Sequence, residues 1–427
     1  MLNRRKFLGA SAAVLGSAGC ASQTAPGSPE ATDDLPPSLA RLQPMKDQAT
    51  PISHQERVGR VEKARQLMAD HSLDAILLTG GTSLIYFTGV QWGISERLFS
   101  VVVPRFGNAF LVCPSFEEGR AREQLSQSPL QEADVLTWEE HQSPYALVAA
   151  GLQDRKIATG SLGIEETVRF VFVEGVSKSA RTLQVKSATP VTAGCRGVKD
   201  SHELELMRLA SAVTLKAYEA AYLAMTEGMT QNEFRGLVSL AHERQGFSGS
   251  AGVQVGEFSA LPHGSRTPQT IREGSILLID GGCSAEGYRS DISRTFVLGK
   301  ATDEMKRVFE IEHRAQTAAL QAAKPGVEAQ AIDAAARKVI SESGFGPDYR
   351  YFTHRVGHGI GMDGHEWPYL VRGNTLKLEP GMTFSDEPGI YQPGKFGVRL
   401  EDDMVITEDG AELFTPQSPS LEHPFAV

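Results

Sequence analysis

Asp280 closes a run of four aliphatic residues, Ile276 to Ile279, and is followed by Gly281-Gly282. A carboxylate at the mouth of a buried strand calls for a cation or metal beside it, because burying it unpaired is costly. Taken alone, an Asp before two glycines reads first as a turn former. It does not stand alone. Asp291 follows in Ser290-Asp291-Ile292-Ser293, His358 in Gly357-His358-Gly359-Ile360-Gly361, Glu387 in Asp386-Glu387-Pro388-Gly389 and Glu401 in Arg399-Leu400-Glu401-Asp402. Four carboxylates and one imidazole suit a pair of hard-to-borderline divalent ions. Without cations, four carboxylates meeting at one point would repel one another.

Other residues of the second half are candidates only beside such a cluster. The glycines around His358 lack the spacing of a dinucleotide fingerprint and read as room for the backbone to pass close to a ligand. His263 in Pro262-His263-Gly264 and His365 in Asp363-Gly364-His365-Glu366 are further imidazoles, each by itself simply a solvated loop residue. Arg399, two residues before Glu401, should share its face of a strand. Neither a Gly-x-Ser-x-Gly elbow nor a His-Glu-x-x-His pair occurs. Cys20, Cys113, Cys195 and Cys283 have no metal-type spacing, and the last three read as buried or idle thiols.

A chain of 427 residues exceeds one ordinary core, so two domains are expected. A net charge of −10 with no Lys/Arg cluster argues against nucleic acid as a partner. Residues 1–20 carry Arg4, Arg5 and Lys6 ahead of a short apolar stretch, which reads as an export signal. The Arg-Arg-Lys-Phe-Leu run resembles a twin-arginine signal, and Ser17-Ala18-Gly19-Cys20 a lipoprotein cleavage box with Cys20 the lipid-bearing residue. The expected location is therefore the bacterial envelope, periplasmic or anchored to the membrane only through that lipid. Residues 21–52, rich in Pro, Ser, Ala, Thr and Asp, read as a flexible linker.

From residue 53 to 192 helix and strand signals alternate. They include a helix over 53–70 and strands at 75–78, 100–103 and 110–112, an α/β pattern without a catalytic constellation. Pro190, Gly194 and Gly197 mark a boundary. Beyond it, Ser201 is the expected N-cap of a long helix running towards Gly228, and Thr230 to Glu233 opens a second with capping-box spacing. Strands at 276–279 and 291–298 and helices at 302–323 and 328–343 follow. Residues 198–427 thus form an α+β domain, a curved antiparallel sheet covered by helices.

The order Asp280, Asp291, His358, Glu387, Glu401, with the flanks Ser290-Asp291-Ile292-Ser293-Arg294-Thr295-Phe296, His354-Arg355-Val356-Gly357-His358 and Glu387-Pro388-Gly389-Ile390-Tyr391, resembles the pita-bread metallopeptidases. That family includes Xaa-Pro dipeptidase (prolidase), aminopeptidase P and methionine aminopeptidase. Ile85-Tyr86-Phe87-Thr88-Gly89 resembles the creatinase-type N-terminal domain of the proline-directed members. The resemblance implies hydrolysis of Xaa-Pro bonds in dipeptides or at peptide N-termini, so proline-containing peptides are the expected partners. It implies two divalent ions; an oxygen-rich donor set with one imidazole suits Mn²⁺ first, with Zn²⁺ or Co²⁺ as alternatives. Asp291 and Glu401 would bridge them, Asp280 would hold one, and His358 and Glu387 the other. His263 and His365 would contact substrate, Glu387 would relay a proton, Arg399 would orient Glu401 or meet the substrate carboxylate, and Arg372 is a weaker candidate for the latter. Relatives are often homodimers. A peptide-binding module without turnover, or another amidohydrolase activity of the same centre, are the alternatives. Asp386 before Glu387 and Leu400 before Glu401 are small departures from the family pattern.

Overall fold

The Ser53 hydroxyl accepts from the Glu56 backbone N–H while the Glu56 carboxylate accepts from the Ser53 N–H. This reciprocal cap starts helix α1 (His54–Asp70). The computed structural model describes residues 35–425, so the export signal and Cys20 lie outside the described residues. After α1 come β1 (Ala75–Thr79), α2 (Thr82–Thr88), β2 (Ser100–Pro104), β3 (Phe110–Pro114), α3 (Glu118–Leu125), β4 (Asp134–Trp138), α4 (Pro144–Asp154), β5 (Gly160–Ile164), α5 (Phe170–Ser179), β6 (Leu183–Ser187) and α6 (Thr189–Gly197). The six strands form one mixed sheet in the order β4-β3-β2-β1-β5-β6. Strand alternation splits its core in two. Ala75 and Leu77 pack with Val148, Leu152 and Phe172 on one face, and Ile76 and Leu78 with Val61, Ala64 and Met68 on the other.

The second half opens with α7 (Ser201–Leu223) and α8 (Gln231–Arg244), followed by β7 (Gly249–Val255), β8 (Ile276–Ala285), β9 (Tyr288–Arg289) and β10 (Ile292–Val297). Tyr218, Phe234 and Val238 of the two helices bury Val253, Leu277, Ile279 and Phe296 of the antiparallel β10-β8-β7 sheet. Then come α9 (Asp303–Ala322), α10 (Ala329–Ile340), β11 (Gly357–Gly359), β12 (Glu366–Leu370), β13 (Thr383–Asp386), β14 (Gly389–Gln392), β15 (Phe396–Arg399), β16 (Asp402–Ile406) and β17 (Ala411–Leu413). A second antiparallel sheet runs β12-β11-β13-β16-β17, and β14 pairs with β15. An isolated bridge between Ser293 and Glu401 stitches the two sheets together. The functional side chains gather at that seam.

Three expectations are corrected. Residues 37–52 are not a loose linker: Leu39, Met45, Ala49 and Ile52 are buried, the first against Ala217, Ala220 and Ala241 and the others in a cluster with Leu206, Met207 and Ala210. Apolar anchors spaced through a polar segment suffice to pin it. The segment that carries Pro190, Gly194 and Gly197 is a helix, α6, and not a break in secondary structure, because proline at a first-turn position gives up only an N–H that has no partner there. Asp200, not Ser201, caps α7, since its carboxylate accepts from the Glu203 N–H while Glu203 returns the bond.

Candidate metal centre

Each of the five metal-capable residues comes from a different segment. Asp280 lies in β8, opposite Ser293 of β10. Asp291 immediately precedes β10, its N–H held by the buried Asp403 carboxylate at 2.9 Å. His358 is central in β11, Glu387 follows β13 and Glu401 lies between β15 and β16. All five line one cleft of about 420 Å³, together with Pro262, His263, His354, Arg355, His365, Val371 and Arg399. Donor atoms of Asp280, Asp291 and Glu401 lie within 4.8 Å of one another, as do those of His358, Glu387 and Glu401, and of Asp291, His358 and His365. The first two triads share Glu401 and between them use all five donors, as two neighbouring ions would require.

The donors fit cations on their own chemistry. His358 Nδ1 lies 3.1 Å from the Gly359 carbonyl, which only an N–H can satisfy. In the neutral ring this leaves the Nε2 lone pair 3.2 Å from Glu387 Oε1 and 4.0 Å from Asp291 Oδ2. Lone pair facing carboxylate is stable only with a positive charge at that point, a bound cation or, in its place, a proton on Nε2. Burial, and then the neighbouring Asp280, Asp403 and Glu387, push the Asp291 carboxyl well above the carboxylate range. Burial and then Asp291, Glu387 and Asp280 do the same to Glu401. Burial also works against ionised Glu387, but the hydrogen bond and charge of His358 outweigh it and bring that carboxyl down to about 2.

Arg399 ties the carboxylates to one another. Nη2 donates to Asp280 Oδ2 at 2.6 Å, Nε to Ser293 Oγ at 2.9 Å, and Nη1 to Tyr391 Oη and the Pro262 carbonyl. Ser293 Oγ in turn donates to Glu401 Oε2 at 2.6 Å. Arg399 therefore orients Asp280 directly and Glu401 through one hydroxyl. His365 stacks on His358, ring centroids 3.7 Å apart and planes 20° apart, and its Nδ1 lies 3.2 Å from Arg355 Nη2. His263 lines the cleft from an exposed loop. Arg372 is not in the cleft lining; it pairs with Asp348 at 2.8 Å on the surface.

Sequence reasoning passed over His354, Arg355, Tyr391 and Ser293. His354 Nε2 contacts Tyr391 Oη at 2.8 Å, extending the Arg399 network behind the ligands. The available signal was position, since His354 lies four residues before His358 and Tyr391 four residues beyond Glu387. The glycines of the His358 segment make room for neighbouring chain. A Cβ on Gly357 would collide with the Ser385 carbonyl, one on Gly359 would stand 2.7 Å from the Glu366 carbonyl, and one on Gly361 2.9 Å from Lys199 and Glu366. The described cysteines, all buried, have thiols that burial pushes up to about 12 for Cys113 and Cys195 and about 11 for Cys283, so none is a ready nucleophile.

The sequence matches metallopeptidase family M24 over residues 205–408 and the creatinase/prolidase N-terminal domain over residues 60–198. Among curated relatives it is 32% identical to an Xaa-Pro dipeptidase of Lactobacillus helveticus, across 85% of this chain and 98% of that one. An Xaa-Pro dipeptidase of Pyrococcus furiosus is 32% identical over 85% and 99%. Among solved structures, dipeptidase PepE from Mycobacterium ulcerans superposes with a TM-score of 0.81 at 31% identity, covering 87% of this chain and 99% of that one. The prolidase from Thermococcus sibiricus does so with a TM-score of 0.76 at 29% identity, covering 86% and 98%. By sequence and by fold, this chain belongs to metallopeptidase family M24, with a creatinase/prolidase-type domain preceding the catalytic one.

Proposed function

We propose that the chain hydrolyses the peptide bond before proline, in dipeptides first and at the N-termini of longer peptides second. Asp280, Asp291, His358, Glu387 and Glu401 would hold two divalent ions, manganese the first candidate and zinc or cobalt the alternatives. The observation that carries this is the convergence of those five donors in one cleft, in a chain that matches Xaa-Pro dipeptidases over 85% of its length. The bond before proline is a tertiary amide without an N–H, on a backbone fixed by the ring, so a dedicated site makes chemical sense.

When bound, the ions supply Lewis-acid polarisation of the scissile carbonyl and acidify the attacking water. Glu387 accepts the proton of that water and passes it to the departing proline nitrogen. His263 and His365 donate to the carbonyl oxygen as charge develops, and loss of one such donor costs about a hundredfold or more in rate. Arg399 keeps Asp280 and Glu401 in register; its buried, fully engaged guanidinium favours that task over capture of a substrate carboxylate.

Export and anchoring belong to the same reading, supported by Arg4, Arg5 and Lys6 ahead of an apolar stretch and by Ser17 to Cys20. A homodimer is supported by Ile94 and Phe116, 74% and 66% exposed, which line one shallow groove with Trp92. The test is a cleavage profile of Ala-Pro, Ala-Pro-Xaa and a non-proline dipeptide, after chelation and after adding back Mn²⁺. Unchanged Ala-Pro hydrolysis by Glu401→Ala would refute the scheme.

A further inference from the structure

The segment Gly361–His365, between β11 and β12, presents His365 to the cleft but is gripped from the other domain. Asp363 Oδ1 accepts a 2.5 Å hydrogen bond from Thr82 Oγ1, the first residue of α2. Asp363 Oδ2 lies 3.3 Å from Arg196 Nη1, near the end of α6. The same Arg196 Nη1 donates to Ser83 Oγ at 3.4 Å. The next acid, Glu366 at the start of β12, is buried: Oε1 accepts from the Asp363 N–H at 3.0 Å, and Oε2 lies 3.4 Å from Lys199 Nζ. Arg289 holds the remaining side, its N–H donating to the Gly361 carbonyl and its Nε to the Met362 carbonyl.

His365 has no such anchors of its own. Among the described residues, its ring is fixed by stacking on His358 and by Arg355 Nη2. The intervening Gly364 has nothing closer to a Cβ position than Arg289 Cδ at 4.0 Å. The course of the backbone through Asp363 therefore determines where the imidazole stands. Both groups that hold Asp363 from outside the catalytic sheet lie before residue 198, in the domain that carries no donor of the metal centre.

We propose that Asp363 is a positioning residue for His365, and that its clasp by Thr82 and Arg196 is the joint through which the first domain sets the substrate-contacting histidine. This rests on the reading of the cleft as a peptidase site, yet the clasp itself can be tested without turnover. Thr82 and Asp363 are outside the binding machinery. Thr82→Val preserves shape and removes the donor; Thr82→Ser preserves the donor; Asp363→Ala removes the acceptor at a half-exposed position that tolerates truncation.

The first readout is the rate at which diethylpyrocarbonate modifies His365 in the full chain, followed by mass spectrometry of the peptide. A released ring loses its stack on His358 and should react about threefold faster or more in Thr82→Val and Asp363→Ala, with Thr82→Ser at the wild-type rate. The second is steady-state cleavage of Ala-Pro in wild-type and His365→Ala backgrounds. Thr82→Val should lower kcat about tenfold with little change in KM, and should have no further effect once His365 is Ala. Unchanged labelling, or losses that multiply independently in the double variant, overturns the proposal. If Thr82→Val does not fold, Asp363→Ala decides by the same two readouts. A wild type that leaves Ala-Pro intact refutes the peptidase reading instead, and the labelling still decides the clasp.

Discussion

Arg399 Nη2 and Asp280 Oδ2 are 2.6 Å apart, the shortest contact by which this guanidinium organises the carboxylates of the centre. The arginine is 4% exposed in its side chain and spreads its donors over Asp280, Ser293, Tyr391 and the Pro262 carbonyl. A lysine keeps the charge but has no planar fork, so it can serve one or two of these partners at once. Arg399→Lys should therefore fold less stably, by about 1–3 kcal/mol, because partners of the lost fork are left unsatisfied. It should also lose hydrolysis by more than tenfold, because Asp280 and Glu401 are freed together. Urea unfolding and Ala-Pro kinetics measure the two effects. Retention of both within experimental error contradicts this account of Arg399.

Gly357 and Gly236 look alike in a sequence and should behave in opposite ways. Gly357 of β11 faces the Ser385 carbonyl of the adjoining β13 segment, and an added Cβ would strike that backbone atom directly. Backbone does not step aside cheaply, so Gly357→Ala should destabilise by about 1–3 kcal/mol or more and disturb His358 beside it. Gly236 lies within α8, with no positive φ and nothing within 4 Å of a Cβ position. Gly236→Ala should raise stability by up to about 1 kcal/mol. Thermal melts of the two variants compare them directly; a stabilising Gly357→Ala would contradict the packing described for β11.

The elements that sequence reveals here are those whose signal is local. Ile276 to Ile279 and Ser100 to Val103 are apolar runs that become strands, and Thr230 with Glu233 is a cap that can be read directly from its spacing. Asp280 was legible at the end of such a run and His358 among its glycines, whereas Asp291, Glu387 and Glu401 were legible only through their order and flanking residues. What was not legible depends on meetings between distant segments. Tyr391 and His354 matter through Arg399, which is apparent only once β14 and β15 are paired beside β10. Thr82 and Asp363 are 281 residues apart in sequence. Segment 37–52 was misread because composition cannot say whether Leu39 and Met45 find a groove.

His202 and Glu56 form a pH-dependent link between α7 and α1. His202 Nδ1 is 2.6 Å from Glu56 Oε1 and Nε2 3.1 Å from the Thr50 carbonyl, so both ring nitrogens face acceptors and the imidazolium is favoured. Burial works against that charge, but the Glu56 hydrogen bond prevails and the His202 pKa is raised above 6.5. For Glu56, burial is likewise outweighed, by hydrogen bonds with Ser53 and His202, and its pKa falls to about 2. A raised histidine pKa gives stability present below its unfolded value and lost as pH rises through the folded one. A lowered glutamate pKa gives stability present above its unfolded value and lost as pH falls towards 2. The pair thus stabilises most between about pH 4.5 and 6.5. His202→Gln should cost at most about 1 kcal/mol at pH 6. Its deficit against wild type should shrink by pH 8.5, and a deficit constant across that range would disprove the link.

The centre should also reveal itself in stability, independently of any substrate. Asp280, Asp291, Glu387 and Glu401 are assembled by the fold whether or not cations accompany them, and the backbone cannot relax them apart because Glu401 is bridged to Ser293 and Asp291 is held by Asp403. Chelation should therefore lower the melting temperature. A divalent ion at a hundred times its Kd should restore about 2.7 kcal/mol, provided that it binds only the native state. Glu401→Gln separates repulsion from binding. The amide oxygen can still accept from Ser293 Oγ, but the charge that faces Asp291 is gone. In the chelated state this variant should melt above chelated wild type, and its melting temperature should respond little to added Mn²⁺. Differential scanning calorimetry of the two proteins, with and without chelator, gives all four values. If chelated Glu401→Gln melts below chelated wild type, the carboxylates are not repelling one another and the metal-centred account of the cleft fails.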